Sequence, residues 1–183
     1  MPDAFITRDG LTLRPAQDSP ADLAALLRWL NDPRVLEFYE GRDRPHSAQM
    51  VRENFLEADP QTTACIIEWQ GRAVGYLQFS FLEGEELAEY GYTPAQRVIG
   101  LDLFIGEPAL WGQGLGSRAV ALTCDYLSAK YAPDWLTLDP HANNSRALRC
   151  YEKGGFRRVK YLPATKLNKA ALQNPGLRAS PGG

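Results

Sequence analysis

The sequence predicts an α/β (α+β) fold in which helices flank a central, mixed and mostly antiparallel sheet. Two strand-like segments, 63–69 and 73–81, are separated by a short turn and therefore predict an antiparallel hairpin. From residue 98 onward, strand-like segments alternate with helical ones, which is typical of parallel crossover connections. The chain of 183 residues is long enough to bury a hydrophobic core.

The first half of the chain predicts one further strand and two helices. Residues 11–13 read as a short strand that Pro15 ends. Leucines at helical spacing predict a helix over 21–30, and turn-forming residues follow it. A second helix is expected over 47–58, before the hairpin. The acidic stretch 82–96 is expected to be a solvated loop.

The second half alternates strands and helices. Strands are predicted at 98–105, 135–138 and 156–162, and helices at 114–130 and 144–154. These elements complete a sheet of six strands.

Residues 1–164 are expected to form a single domain. The remaining residues, 165–183, are expected to be a C-terminal tail that is either a weak helix or disordered. No closing strand is visible after Leu162.

Composition excludes several classes of function. The formal net charge is -2 and basic residues form no long run, which excludes nucleic acid as an expected partner. No apolar run is long enough to cross a bilayer and no leader is visible, so we expect a cytoplasmic protein with no membrane partner.

Cysteine and histidine are sparse. The three cysteines, Cys65, Cys124 and Cys150, form no CxxC motif, and the only histidines are His46 and His141. This pattern is typical of reduced, buried thiols rather than disulfides or a metal site. It also disfavours Ser-His-Asp and Cys-His catalysis, which need a histidine base.

A glycine-rich segment, WGQGLGSR over 111–118, lies between an apolar strand and an amphipathic helix. Alternate glycines let backbone N–H groups converge, and the helix adds the positive end of its dipole, so the segment predicts a phosphate-binding loop. It lacks the Gly-Lys-Ser/Thr of a Walker A loop and the spacing of a dinucleotide-binding fingerprint. The structural alternative is a glycine-rich turn required only for tight packing.

A second motif lies on the helix predicted at 144–154. Asn144, Ala147, Leu148 and Tyr151 share one face of this helix. Taken alone, this pattern describes an amphipathic helix with a buried tyrosine.

Together the two motifs resemble the acetyl-CoA motifs of the GNAT superfamily. GLD (100–102), GQGLGS (112–117), LDP (138–140) and RALRCYEKGGF (146–156) are similar, more closely, to the aminoglycoside 6′-N-acetyltransferases. The segment 28–41, RWLNDPRVLEFYEG, is similar as well, although protein-acetylating and siderophore-acetylating branches carry related stretches. Many members have Arg or Gln where this chain has Trp111.

The resemblance implies a GNAT fold whose sheet splays between its fourth and fifth strands, and acetyl-CoA as the cofactor. It implies direct attack of a primary amine on the acetyl thioester in a ternary complex. The resemblance assigns cofactor contacts to Leu103, Phe104, Ile105, Gln113, Gly114, Leu115, Gly116, Ser117, Arg118, Asn144, Ala147, Tyr151 and Lys153.

Two residues are expected to be catalytic. Asp102 lies among apolar residues of its strand and, by resemblance, matches an aspartate at the acceptor amine, where it would act as the base. Its alternative is a hydrogen bond to a neighbouring loop. Tyr151 would donate a proton to the departing thiolate, and its alternative is packing against the acetyl arm.

The expected acceptor is a small-molecule amine, with the enzyme a monomer or homodimer. A carboxylate-rich cleft with aromatic faces would attract a polycation. The candidate acceptor contacts are Glu37, Tyr39, Tyr76, Glu89, Asp102 and Asp139. The alternatives are acetylation of a protein N-terminus, lysine, polyamine or siderophore precursor, a nonenzymatic acyl-CoA-binding module, and a partner-binding domain.

Overall fold

The computed structural model describes residues 3–37, 45–57, 59–138, 144–153, 155–162 and 169–175. The strands are β1 (Ile6–Arg8), β2 (Leu11–Pro15), β3 (Thr62–Trp69), β4 (Arg72–Phe81), β5 (Val98–Ile105), β6 (Trp135–Leu138), β7 (Arg157–Leu162) and β8 (Lys169–Pro175). The helices are α1 (Pro20–Trp29), α2 (Pro33–Leu36), α3 (Ala48–Val51), α4 (Gly84–Glu89), α5 (Leu115–Tyr131) and α6 (Ser145–Lys153).

The strands form one mixed sheet in the order β1-β2-β3-β4-β5-β6-β8-β7. Strands β1, β2 and β3 pair antiparallel, β5 pairs with β6 in parallel, and β8 is antiparallel to both β6 and β7. The predicted mixed, mostly antiparallel sheet with flanking helices is therefore confirmed.

Strand β5 extends beyond the described part of its parallel neighbour. The register runs from Val98 opposite Trp135 to Leu101 opposite Leu138. Strand β5 then continues to Ile105, whereas the residues that follow Leu138 (139–143) lie outside the described part of the chain. The splay between these two strands stays a prediction.

The chain divides into two compact units, the first formed by residues 1–78 and 103–119. Helix α1 begins at Pro20 because Ser19 caps it by accepting from the Asp22 N–H, and its buried residues Ala25, Leu26 and Trp29 pack in the core. The core of this unit includes one cluster formed by Ala25, Leu26, Trp29, Leu30, Val51, Phe55, Ile66 and Tyr76.

Residues 79–102 and 120–183 form the second unit. Leu82, Leu87 and Val98 form a small core cluster in it, with Trp135 packed against them. Helix α4 contributes Leu87 and keeps its glutamates exposed. The acidic stretch 82–96, expected to be a loop, therefore contains a short helix.

The C-terminal tail differs from the sequence prediction. A weak helix or disorder was expected over 165–183, but Lys169–Pro175 forms strand β8 between β6 and β7. The Ala-Ala-Leu-Gln run favours a helix locally, and pairing on both sides overrides that preference. A closing strand after Leu162 therefore exists.

The helix expected over 47–58 changes its geometry midway. Helix α3 is followed by a π-helical turn, Arg52–Leu56, in which the Glu57 N–H donates to the Arg52 carbonyl over 2.7 Å. The carbonyl of Phe55 in this turn accepts a hydrogen bond from the Tyr76 hydroxyl over 2.9 Å.

Within the described residues, no helix is long and apolar enough to span a membrane.

Candidate active site

The glycine-rich segment forms an open turn before α5. Gly112 and Gly114 have φ angles of 77° and 78°, which a residue with a side chain adopts only with strain. A Cβ atom placed on either glycine would meet no atom within 4 Å. The backbone of this turn is therefore accessible to a ligand, and glycine keeps it so.

Helix α5 begins directly after this turn, at Leu115. The Arg118 N–H donates to the Gly114 carbonyl over 3.1 Å, which closes the first helical turn. N–H groups at the start of a helix have no acceptor within the helix, and the helix dipole is positive there, so such a position binds anions. We call residues 112–117 the amide cradle. Its open glycines and helix start fit the pyrophosphate of acetyl-CoA.

Two side chains brace the segment that leads into the cradle. The Trp111 indole N–H donates to the Ile105 carbonyl over 2.8 Å, and the Gln113 side-chain amide donates to the Ala109 carbonyl over 2.9 Å. Gln113 was predicted as a cofactor contact, and its side chain here supports the fold of the turn.

The side chain of Arg118 is directed elsewhere in the first unit. Its guanidinium lies 4.6 Å from the ring centroid of Trp69 and donates to the Asp9 carbonyl over 3.0 Å. Both the side chain and the backbone N–H of Arg118 thus have partners within the protein, and its cofactor contact stays a prediction. Within the cradle, Leu115 is buried, whereas Gly116 and Ser117 are half-buried.

The end of β5 carries the predicted thioester contacts. Leu103 is buried, and Phe104 and Ile105 are half-buried. The Phe104 ring contacts those of Trp29 and Tyr76, with centroids 6.0 Å and 5.8 Å away.

Asp102 precedes these residues on β5 and is half-buried in the second unit. It lies just after Leu101, the last β5 residue whose partner on β6 lies within the described residues. A half-buried carboxylate retains access to a ligand while it is partly shielded from water.

Helix α6 presents the second motif. Tyr151 and Leu148 are buried on one face, Ala147 is half-buried and Lys153 is exposed. Asn144 is 8% exposed and caps the helix, since its side-chain oxygen accepts from the Ala147 N–H over 3.1 Å. The amide NH₂ of Asn144 still carries two donors.

The residues predicted from sequence to contact the acceptor differ in solvent exposure, and two of them lie outside the described residues. Tyr76 is 0% exposed, and its hydroxyl donates to Phe55 O (2.9 Å) or Gln78 Oε1 (3.1 Å). Its expected role as a ligand-stacking face is wrong, because the ring is a core residue. Glu37 and Glu89 are exposed. Tyr39 and Asp139 lie outside the described residues.

The sequence did not predict the contacts that Gly106 and Glu107, directly after β5, make with Trp29. Gly106 follows the strand and packs so closely on the Trp29 indole that a Cβ atom would overlap the ring. Glu107 accepts from the Trp29 indole N–H over 2.9 Å and also pairs with Arg28. A glycine next to an acidic residue at a strand end was the only signal for this arrangement.

The described residues contain no cluster of three or more metal-ligating side chains. Burial raises the pKa of the Cys65 thiol to about 12, and burial with the nearby charge of Asp125 does the same for Cys124. Neither thiol ionises near neutral pH, so neither supplies a thiolate nucleophile.

Comparison with known proteins identifies the family. The family model described as an acetyltransferase (GNAT) domain matches residues 18–163. The aminoglycoside N(6′)-acetyltransferase type 1 of Klebsiella pneumoniae is 30% identical over 155 residues, which cover 83% of this chain and 76% of the relative.

Solved structures agree with this match. The structure of AAC(6′)-Ib in complex with paromomycin and acetyl-CoA has a TM-score of 0.77 at 27% identity, and the alignment covers 95% of this chain and 100% of that one. The structure of AAC(6′)-Ib with coenzyme A and kanamycin has a TM-score of 0.75 at 28% identity, over 90% of this chain and 94% of that one. The chain belongs to the GNAT acetyltransferases, enzymes that use acetyl-CoA.

Proposed function

We propose that this enzyme transfers the acetyl group of acetyl-CoA to the 6′-amine of an aminoglycoside. The observation that carries the proposal is the 30% identity with an aminoglycoside N(6′)-acetyltransferase over 83% of this chain. The likeness extends to structures of a complex with an aminoglycoside, at TM-scores of 0.75 and 0.77. The expected role is thus drug modification by a cytoplasmic enzyme.

Acetyl-CoA supplies an activated acetyl thioester when bound. The amide cradle would hold its pyrophosphate, since open glycine backbone and a helix start favour an anion. The backbone of Leu103, Phe104 and Ile105 would lie along the pantetheine arm, and one N–H there would polarise the thioester carbonyl.

The acceptor amine must lose a proton before it attacks. An alkylamine with a pKa of ~10 is almost wholly protonated at neutral pH. Asp102 would accept this proton, because its half-buried carboxylate on β5 immediately precedes the thioester contacts in the chain.

The departing thiolate would receive a proton from Tyr151. This phenol lies on the buried face of α6, where it is 7% exposed. A partly dehydrated donor is more effective because water does not compete for its hydrogen bond. Asn144, Ala147 and Lys153 of the same helix region would contact the cofactor.

The acceptor would be recognised mainly by negative charge. Aminoglycosides carry several ammonium groups, and exposed Glu37 and Glu89 are suited to attract them. Tyr39 and Asp139 remain part of the proposed acceptor site. Tyr76 is withdrawn from it because its ring is buried in the core.

The test is release of free coenzyme A thiol from acetyl-CoA in the presence of matched aminoglycosides. Neomycin B carries a 6′-amine, and paromomycin differs from it only by a hydroxyl at the 6′ position. We expect thiol release with the first compound and none above background with the second. Equal rates with both would reject 6′ regiospecificity.

If no aminoglycoside causes thiol release but coenzyme A binds measurably, the proposed acceptor is rejected and the family assignment still holds. The same assay with spermidine, a peptide N-terminus and a lysine peptide then separates the alternative acceptors. Mass spectrometry of the acetylated product identifies the modified amine in each case.

A further inference from the structure

The connection between β5 and α5, residues 106–114, is held by hydrogen bonds at its start and in its middle. At its start, the Gly106 N–H donates to the Val74 carbonyl over 2.8 Å. In its middle, Pro108–Leu110 form one 3-10 turn, closed by the Trp111 N–H, which donates to the Pro108 carbonyl over 3.1 Å. Its end is the glycine turn of the amide cradle.

Trp111 links this connection to the last residue of β5. Its indole N–H donates to the Ile105 carbonyl over 2.8 Å, and the side chain is half-buried. The bond spans the 3-10 turn and ties residue 111, beside the cradle, back to the strand end. The carbonyl of Ile105 is thereby satisfied by the protein itself.

Under the proposed function, acetyl-CoA would be bound near both residues that this hydrogen bond joins, Trp111 and Ile105. The pyrophosphate would bind at the cradle, and the thioester would lie along Leu103, Phe104 and Ile105. A ligand that contacts two sites gains affinity when the distance between them is set before binding, because less ordering is needed on association.

We propose that Trp111 is a positioning residue for acetyl-CoA, which fixes the spacing between the amide cradle and the end of β5 through its indole N–H. Trp111 acts on the protein backbone rather than as a direct phosphate ligand. This inference rests on the proposed mode of cofactor binding and is independent of the acceptor.

Two substitutions separate the hydrogen bond from the bulk of the ring. Trp111→Phe keeps an aromatic ring and removes the N–H. Trp111→His keeps a five-membered ring whose Nε2 occupies the place of the indole nitrogen, and loses the benzene portion. Trp135→Phe is the matched control, because Trp135 is also half-buried but lies in the second unit and has no assigned role in the site.

The readout is the Kd for free coenzyme A by isothermal titration, measured without any acceptor, together with the melting temperature. We expect Trp111→Phe to weaken coenzyme A binding about five- to tenfold, the effect of one lost hydrogen bond. Trp111→His is expected to stay within about twofold of the parent, and Trp135→Phe to be unchanged.

Three results would overturn the proposal: unchanged coenzyme A affinity in Trp111→Phe, equal weakening in both Trp111 variants, or stronger weakening in Trp111→His. The last two would assign the effect to the bulk of the ring. A lower melting temperature with unchanged affinity would show a purely structural role. Failure of aminoglycoside acetylation leaves this test unaffected, because no acceptor is used.

Discussion

The carboxylate of Glu107 holds the indole of Trp29, whose N–H donates to Oε1 over 2.9 Å. Trp29 is 1% exposed in the core of the first unit, so its N–H has no alternative partner in water. Arg28 pairs with the same carboxylate oxygen. One acidic residue beyond β5 thus fixes the C-terminal end of α1.

Removal of this acceptor is expected to destabilise the protein. Glu107→Ala would leave a buried donor unsatisfied and lower the free energy of unfolding by about 1–3 kcal/mol. Glu107→Gln retains an oxygen acceptor and is expected to cost less than half as much. Urea denaturation measures both values. Equal losses in the two variants would contradict the role assigned to the carboxylate oxygen.

The sequence predicted the elements that local chemistry determines. Leucine spacing predicted α1, and the alternate glycines of 112–116 predicted the turn before α5. The GLGS and RALRCYEKGGF motifs led to the family directly. Each of these signals lies within a short window of the chain.

Contacts between distant residues were not predictable in the same way. Strand β8 depends on pairing with β6 and β7, and its own sequence favours a helix. Tyr76 looked like a binding aromatic on an alternating strand, yet its hydroxyl is satisfied by Phe55 and its ring lies in the core. Both errors arise because tertiary partners override local preference.

Two buried cysteines are expected to reduce stability at alkaline pH. Burial raises the pKa of Cys65 and of Cys124 to about 12 in the folded protein. In the unfolded chain a thiol ionises near ~8.5, so above that pH the unfolded state binds fewer protons than the folded state. Each thiol therefore lowers the free energy of unfolding by about 1.4 kcal/mol per pH unit until pH approaches 12.

The measurement is urea denaturation at pH 8, 9 and 10. Cys65→Ala is expected to flatten the alkaline slope relative to the parent, despite a lower stability at pH 8 from the lost packing. Cys150→Ala is the control, because Cys150 is only half-buried. An unchanged slope in Cys65→Ala would contradict the expected effect of burial.

Asp102→Asn is expected to lower kcat by about 100-fold or more, because the amide cannot accept the proton of the acceptor amine. The Kd for coenzyme A should stay within about twofold, since the cradle is untouched. Steady-state kinetics and titration measure the two quantities. Asp125→Asn, a half-buried aspartate of α5, serves as the control. Full activity in Asp102→Asn would show that another group takes the proton.

A methyl group at Gly114 is expected to weaken coenzyme A binding more than it destabilises the fold. Gly114 has a φ of 78° and Gly71, in the turn between β3 and β4, has a φ of 79°, and a Cβ atom on either would meet no atom within 4 Å. Gly114→Ala and Gly71→Ala should therefore lose a similar free energy of unfolding, about 1–2 kcal/mol from strain.

Only Gly114→Ala places its methyl group in the amide cradle, where it would displace a phosphate oxygen from the backbone N–H groups. We expect its Kd for coenzyme A to rise about tenfold or more, while Gly71→Ala binds as the parent does. Urea denaturation and isothermal titration on the two variants separate strain from occlusion. Equal coenzyme A affinity in both would mean that the pyrophosphate does not approach Gly114, and the cradle would then be assigned to the wrong turn.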